Sequence, residues 1–84
     1  MTHIYNYVVA VTMRYPNKDV LKFNQPQLLA HDVRYDIEHH HLYDYTDEQM
    51  LDHIEACLHD DEFRQAFRAF KRNYRSWLRR HPSE

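Results

Sequence analysis

The sequence predicts an α+β fold: a small antiparallel sheet of two or three strands in the N-terminal half, covered on one face by a C-terminal helical hairpin. Three observations predict it. β-branched and aromatic residues alternate with period two over residues 4 to 15 and again over 32 to 45. Two stretches in the C-terminal half carry apolar residues at helical spacing. Carried as one rod at 100° per residue, the two apolar faces of those stretches fall roughly 180° apart, so a break is needed for both to reach one core.

The first predicted strand places Tyr5, Tyr7, Val9, Val11, Met13 and Tyr15 on one side. Pro16, Asn17, Lys18 and Asp19 end it, because proline has no N–H for the ladder and Asn and Asp favour turns. Val20 to Phe23 reads as a short edge strand. Asn24 stands as an N-cap with Pro26 in the first turn of a short helix through Leu28, Leu29 and Ala30. In the second alternating stretch Val33, Tyr35, Ile37, His39, His41, Tyr43 and Tyr45 share a side. A rival reading makes this region one helix from Pro26 to about His41, since Ala30, Val33 and Ile37 are three or four apart. The length of the alternation and its Val, Ile and Tyr content favour the strand.

Thr46-Asp47-Glu48-Gln49 has the form of a capping box and opens a helix whose apolar face is Met50, Leu51, Ile54, Cys57 and Leu58. Asp60 caps a second helix, with Asp61 and Glu62 in its favourable first turn. Its apolar set is Phe63, Ala66, Phe67, Phe70, Tyr74, Trp77 and Leu78. No repeat or linker divides the chain, and residues 1–84 read as one domain.

Composition excludes whole classes of site. The 84 residues contain no glycine, where an average chain of this length carries about six. Phosphate-cradling loops, dinucleotide fingerprints and nucleophile elbows all need glycine where backbone approaches a ligand or turns with positive φ. A mean hydropathy of -0.90 and no long apolar run argue against a membrane span and a secretory signal. The lone Cys57 has no internal disulfide partner, which suits a reducing cytoplasm.

Charge is segregated within a net charge of only -2. Asp36, Glu38, Asp44, Asp47, Glu48, Asp52, Glu55, Asp60, Asp61 and Glu62 follow one another with no Lys or Arg between them. Arg64, Arg68, Lys71, Arg72, Arg75, Arg79 and Arg80 then follow with no acid. With Phe63 set at 0° on the last helix, the first six of these cations lie between about 80° and 180°, beside an apolar arc that ends near 60°. Arginine suits bidentate contact with carboxylate or phosphate. One reading is a solvated stripe that pairs with the acidic helix next to it. The other is a docking surface for an anionic partner, and nucleic acid is one such partner. The acidic stretch next door disfavours a long polyanion. It also offers a face for a basic partner, or for a second copy of the chain.

Eight histidines include the run His39-His40-His41. On a strand His39 and His41 share a face, and with His53 they are the candidate ligands of a transition-metal site, although the spacing matches no established zinc module. The alternative is a set of surface histidines that titrate near neutrality and make an interface pH-sensitive. No catalytic residue is identified: Ser76 and Ser83 lack a positioned base, Cys57 lies in an apolar face, and Asp60, Asp61 and Glu62 serve as helix-start residues. No cofactor is implied. Tyrosines on the exposed sheet face would make a hot-spot patch.

The expected function is a non-catalytic cytoplasmic regulator, inhibitor or adaptor that binds a protein partner. Its basic contact row is Arg64, Arg68, Lys71, Arg72, Arg75 and Arg79, and its acidic and aromatic contact set is Tyr35, Asp36, Glu38, Tyr43, Asp44 and Tyr45. A homodimer is compatible with this reading and no membrane is involved. Nucleic-acid binding through the arginine helix is the alternative, followed by transition-metal binding.

Overall fold

The computed structural model describes residues 3–17 and 25–81, and these form four α-helices with no strand among the described residues. The order is α1 (His3–Arg14), α2 (Gln25–His40), a 3₁₀ turn at Leu42–Asp44, α3 (Asp47–Ala56) and α4 (Asp61–Arg80). The predicted α+β fold is therefore incorrect: the first alternating stretch is helical, the second is a helix followed by a 3₁₀ turn, and no sheet underlies the C-terminal hairpin among the described residues. The proposed edge strand at Val20 to Phe23 and the Asn24 cap lie outside the described residues.

α1 buries Ile4, Tyr7, Val8 and Thr12, offsets of three, four and eight from Ile4 that form one helical stripe. The strand reading failed here because nearly every position is apolar or β-branched. Such a run satisfies period two and period 3.6 alike, and tertiary packing decides between them. α2 buries Leu29, Ala30, Val33 and Ile37, the spacing of the rival helical reading, and its bounds, Gln25–His40, are within one residue of that reading's Pro26 to about His41. His41 ends the helix in the left-handed region at φ 57° and ψ 47°. Glycine is the usual residue for that turn; in a chain without glycine a histidine occupies it, at a steric cost on the order of 1 kcal/mol.

The Thr46 capping box forms as its sequence requires. Gln49 N–H donates to Thr46 Oγ1 (3.1 Å) and Thr46 N–H to Gln49 Oε1 (2.9 Å). Asp60 caps α4, accepting from the Glu62 N–H at 2.8 Å. The chain breaks at Cys57 to Asp60, and this lets both apolar faces turn into one core.

Polar ties fix α1 antiparallel to α2. Tyr5 Oη donates to Glu38 (2.8 Å), Arg34 donates to Thr12 Oγ1 (2.7 Å), and His31 Nε2 donates to the Tyr15 carbonyl (2.6 Å). Partner numbers fall along α2 as they rise along α1, which only an antiparallel pair allows. α4 packs across this pair and α3 closes the end. Every helix contributes to the fully buried centre: Ile4 and Val8, Ile37, Met50, and Phe70. Around it Tyr7 meets Phe70, Tyr74 and Trp77 with ring centroids 5.2 to 5.7 Å apart, separations at which tilted and edge-on rings attract.

Candidate interaction surface

α4 is a 20-residue helix, about 30 Å long, and its two sides differ completely. Ala66, Phe67, Phe70, Tyr74 and Trp77 are buried. Arg64, Arg68, Arg72, Arg75 and Arg79 are exposed and lie about 110° to 190° round the helix from the centre of the buried stripe. Lys71 is half-buried, its Nζ 4.8 Å from the centre of the Phe67 ring. The guanidinium ridge thus runs along the solvent-facing side of α4, with Lys71 between it and the core.

Asp47 holds this helix in place. It is the first residue of α3, and its carboxylate accepts from Tyr74 Oη of α4 (2.6 Å) and from the Ile4 N–H of α1 (3.2 Å). His3 Nδ1 lies 3.8 Å from the same group. The carboxylate therefore sits at two helix N-termini at once, where exposed N–H groups and aligned peptide dipoles both favour negative charge. Burial and the bond to Asp47 push the Tyr74 phenol well above its ordinary pKa.

The acidic segment does not neutralise the ridge. Among the described residues, the ion pairs within 4.0 Å are His3–Asp47, Arg34–Glu38, His40–Asp36 and His53–Asp36, and none involves α4. Arg64 Nε donates to the Leu58 carbonyl at 3.4 Å, across the break before α4. Glu55 of α3 borders a groove with Arg64, Arg68 and Lys71 without pairing to any of them. Among the described residues the arginines of α4 thus form a solvated stripe without the partial pairing to the acidic helix that the sequence suggests.

The acidic and aromatic contact set is dispersed, because it lies on a helix and a turn instead of one strand face. Tyr35 is exposed and stacks on His39 at 5.0 Å. Asp36 bonds His53 Nε2 at 2.6 Å and lies 3.5 Å from His40 Nε2. Glu38 accepts from Tyr5 and Arg34, and the bond from Tyr5, together with burial, pushes that phenol up to about 12. Tyr43 packs edge-on against Tyr5 and Tyr45 edge-on against His53, while Asp44 is exposed. Asp36 and Glu38 are thus committed to contacts inside the molecule. The tyrosine-bearing sheet face does not exist, and Tyr7 and Tyr74 belong to the core.

The metal candidates separate in the same way. His39 faces Tyr35, His41 occupies the turn after α2, and His53 bonds Asp36. Among the described residues no three His, Cys, Asp or Glu side chains converge as a metal site would require. Cys57, expected in the apolar face of α3, is exposed beyond the last turn of that helix.

Sequence reasoning missed one surface feature. Phe63, placed in the core set of α4, is exposed at the start of the helix, and with Tyr35 and Leu58 it lines an apolar groove between α2 and α3. It lies in the middle of the apolar arc, so periodicity gives no signal; its place in the first turn of α4 is the only one. No described helix is long and apolar enough to cross a membrane. Comparison with known proteins gives no match to a family model, to a curated protein or to a solved structure.

Proposed function

We propose that this chain is a non-catalytic binding module, a regulator or adaptor that docks an acidic surface of a protein partner on the α4 ridge. The observation that carries the reading is the row of five exposed arginines on one face with no carboxylate within 4.0 Å among the described residues. Five like charges on one helix repel one another, and a partner carboxylate relieves that repulsion through paired N–H donors. Such contacts chiefly set the rate of encounter and the choice of partner. The apolar groove beside Phe63 and Tyr35, continuous with Arg64 in sequence, supplies the kind of aromatic anchor that gives affinity.

A protein is favoured over nucleic acid because Glu55 borders the ridge near Arg64 and Arg68, and Asp60, Asp61 and Glu62 begin the same helix. A continuous polyanion laid along α4 meets these carboxylates; a discrete acidic patch on a protein avoids them. The exposed thiol of Cys57 fits a reducing cytoplasm.

The reading is tested by affinity capture from the native cell with the whole chain and with Arg68→Ala/Arg72→Ala, in the presence and absence of nuclease. A protein retained by the first, lost with the second and indifferent to nuclease supports it. Capture that nuclease abolishes supports the nucleic-acid alternative. Capture unchanged by the two substitutions removes the ridge from the function.

A further inference from the structure

We propose that the half-open pocket where α1, α2 and α4 meet binds a small organic anion with a planar apolar body, of the aryl carboxylate or aryl phosphate class. The pocket has a volume of about 250 Å³. This is below the range of drug-sized sites and suits a ligand of roughly ten non-hydrogen atoms. Tyr7 and Trp77 form its aromatic wall, Asn73 and Ser76 line one side, and Arg14 and Arg80 stand at its edge. On α4 the three polar members of that set lie at about 220° to 280°, with Phe63 at 0°, on the opposite flank of the helix from the ridge.

Tyr7 forms the inner wall of the pocket. It is only 7% exposed, it lines the pocket, and no described residue hydrogen-bonds its hydroxyl. Burial raises its pKa, and the Arg80 charge opposes that rise. A bound anion offers this hydroxyl an acceptor in place of solvent.

Both arginines border this wall. Arg14 and Arg80 occupy the last turns of α1 and α4, where they complement the negative helix ends. Neither has a carboxylate within 4.0 Å among the described residues. Arg14 lies over the Tyr15 ring at 5.7 Å. Trp77 is backed by His81, stacked at 4.5 Å, so one indole face is already filled. A ring entering the pocket meets the wall of Tyr7 and Trp77 and presents its charge to two guanidiniums, a phenol, an amide and a hydroxyl.

Trp77 is the only tryptophan, so its emission reports the pocket directly. The whole chain is titrated with benzoate, with phenyl phosphate and with benzamide, the uncharged counterpart of benzoate. The expected result is a saturable change with at least one anion and none with benzamide; the stronger anion distinguishes carboxylate from phosphate. Arg14→Ala and Arg80→Ala each weaken binding about tenfold or more, Tyr7→Phe weakens it several-fold, and Arg68→Ala/Arg72→Ala leaves it unchanged. That last variant keeps the outcome separate from the role of the ridge. Should Arg80→Ala disturb the fold by circular dichroism, Arg80→Gln keeps most of the stem and removes the charge. No saturable response to either anion up to about 10 mM, where affinity is below roughly 3 kcal/mol, overturns the proposal. So does an equal response to benzamide, or binding that survives loss of the Arg80 charge.

Discussion

Replacing Asp47 with alanine removes one carboxylate that joins three helices. The Tyr74 phenol loses an ionic acceptor at 2.6 Å and the first turn of α1 loses the acceptor for the Ile4 N–H at 3.2 Å. A hydrogen bond to a charged group contributes about 1.5 to 3 kcal/mol, and a lost helix cap costs about 1 kcal/mol. Because the carboxylate is half-buried, solvent screening places the total near the lower end, at about 3 kcal/mol. For a domain of this size that lowers Tm by roughly 12 to 24 °C. Urea unfolding followed by far-ultraviolet circular dichroism reads the change as a lower midpoint at constant slope. The double variant Asp47→Ala/Tyr74→Phe isolates the bond, with an expected coupling of about 1 to 2 kcal/mol. A loss under about 0.5 kcal/mol, or additivity of the two substitutions, refutes the view that Asp47 sets the position of α4 and its ridge.

The fold is expected to fail in alkali. Tyr5, Tyr7 and Tyr74 all have raised pKa values, Tyr5 to about 12, so the folded state favours the neutral phenol. Their contribution is complete below the unfolded value of about 10 and declines as pH rises through the folded values. Urea midpoints measured from about pH 8 upward stay level to about pH 10 and then drop, and Tyr74→Phe reduces the drop; a midpoint independent of pH contradicts the three assignments. Cys57 is exposed, so iodoacetamide labels it to completion in the folded protein, and labelling that requires urea contradicts its position.

The parts legible in the sequence are those where one residue type has one structural use. Thr46 with Gln49, and Asp60 before an apolar run, specify helix starts, and both caps form. The rings and cations of α4 keep separate faces over five turns, a pattern only a helix maintains. α1 was misread for the opposite reason. From Ile4 to Val11 the only polar side chain is Asn6 apart from the tyrosine hydroxyls, so little marks a solvent face and the two periods are degenerate. In α2 the alternation of Tyr35, Ile37, His39, His41, Tyr43 and Tyr45 crosses a helix end, a left-handed residue and a 3₁₀ turn. The pattern was continuous in sequence while the backbone was not. The unpaired state of the ridge was beyond sequence altogether, because acidic neighbours along the chain need not reach it in space. The Tyr7 pocket was hidden likewise, since its walls come from residues some seventy positions apart.

The most direct test of the ridge as a docking surface is the binding of a fluorescent polyglutamate peptide to the whole chain, followed by anisotropy at about 50 mM salt and upward. The same titration is run with a duplex DNA and with Arg68→Ala/Arg72→Ala/Arg75→Ala. The expected result is peptide binding that weakens with salt, falls about tenfold or more in the triple variant, and exceeds binding to the duplex. Absence of peptide binding at the lowest salt, or affinity indifferent to the three arginines, contradicts the proposed function.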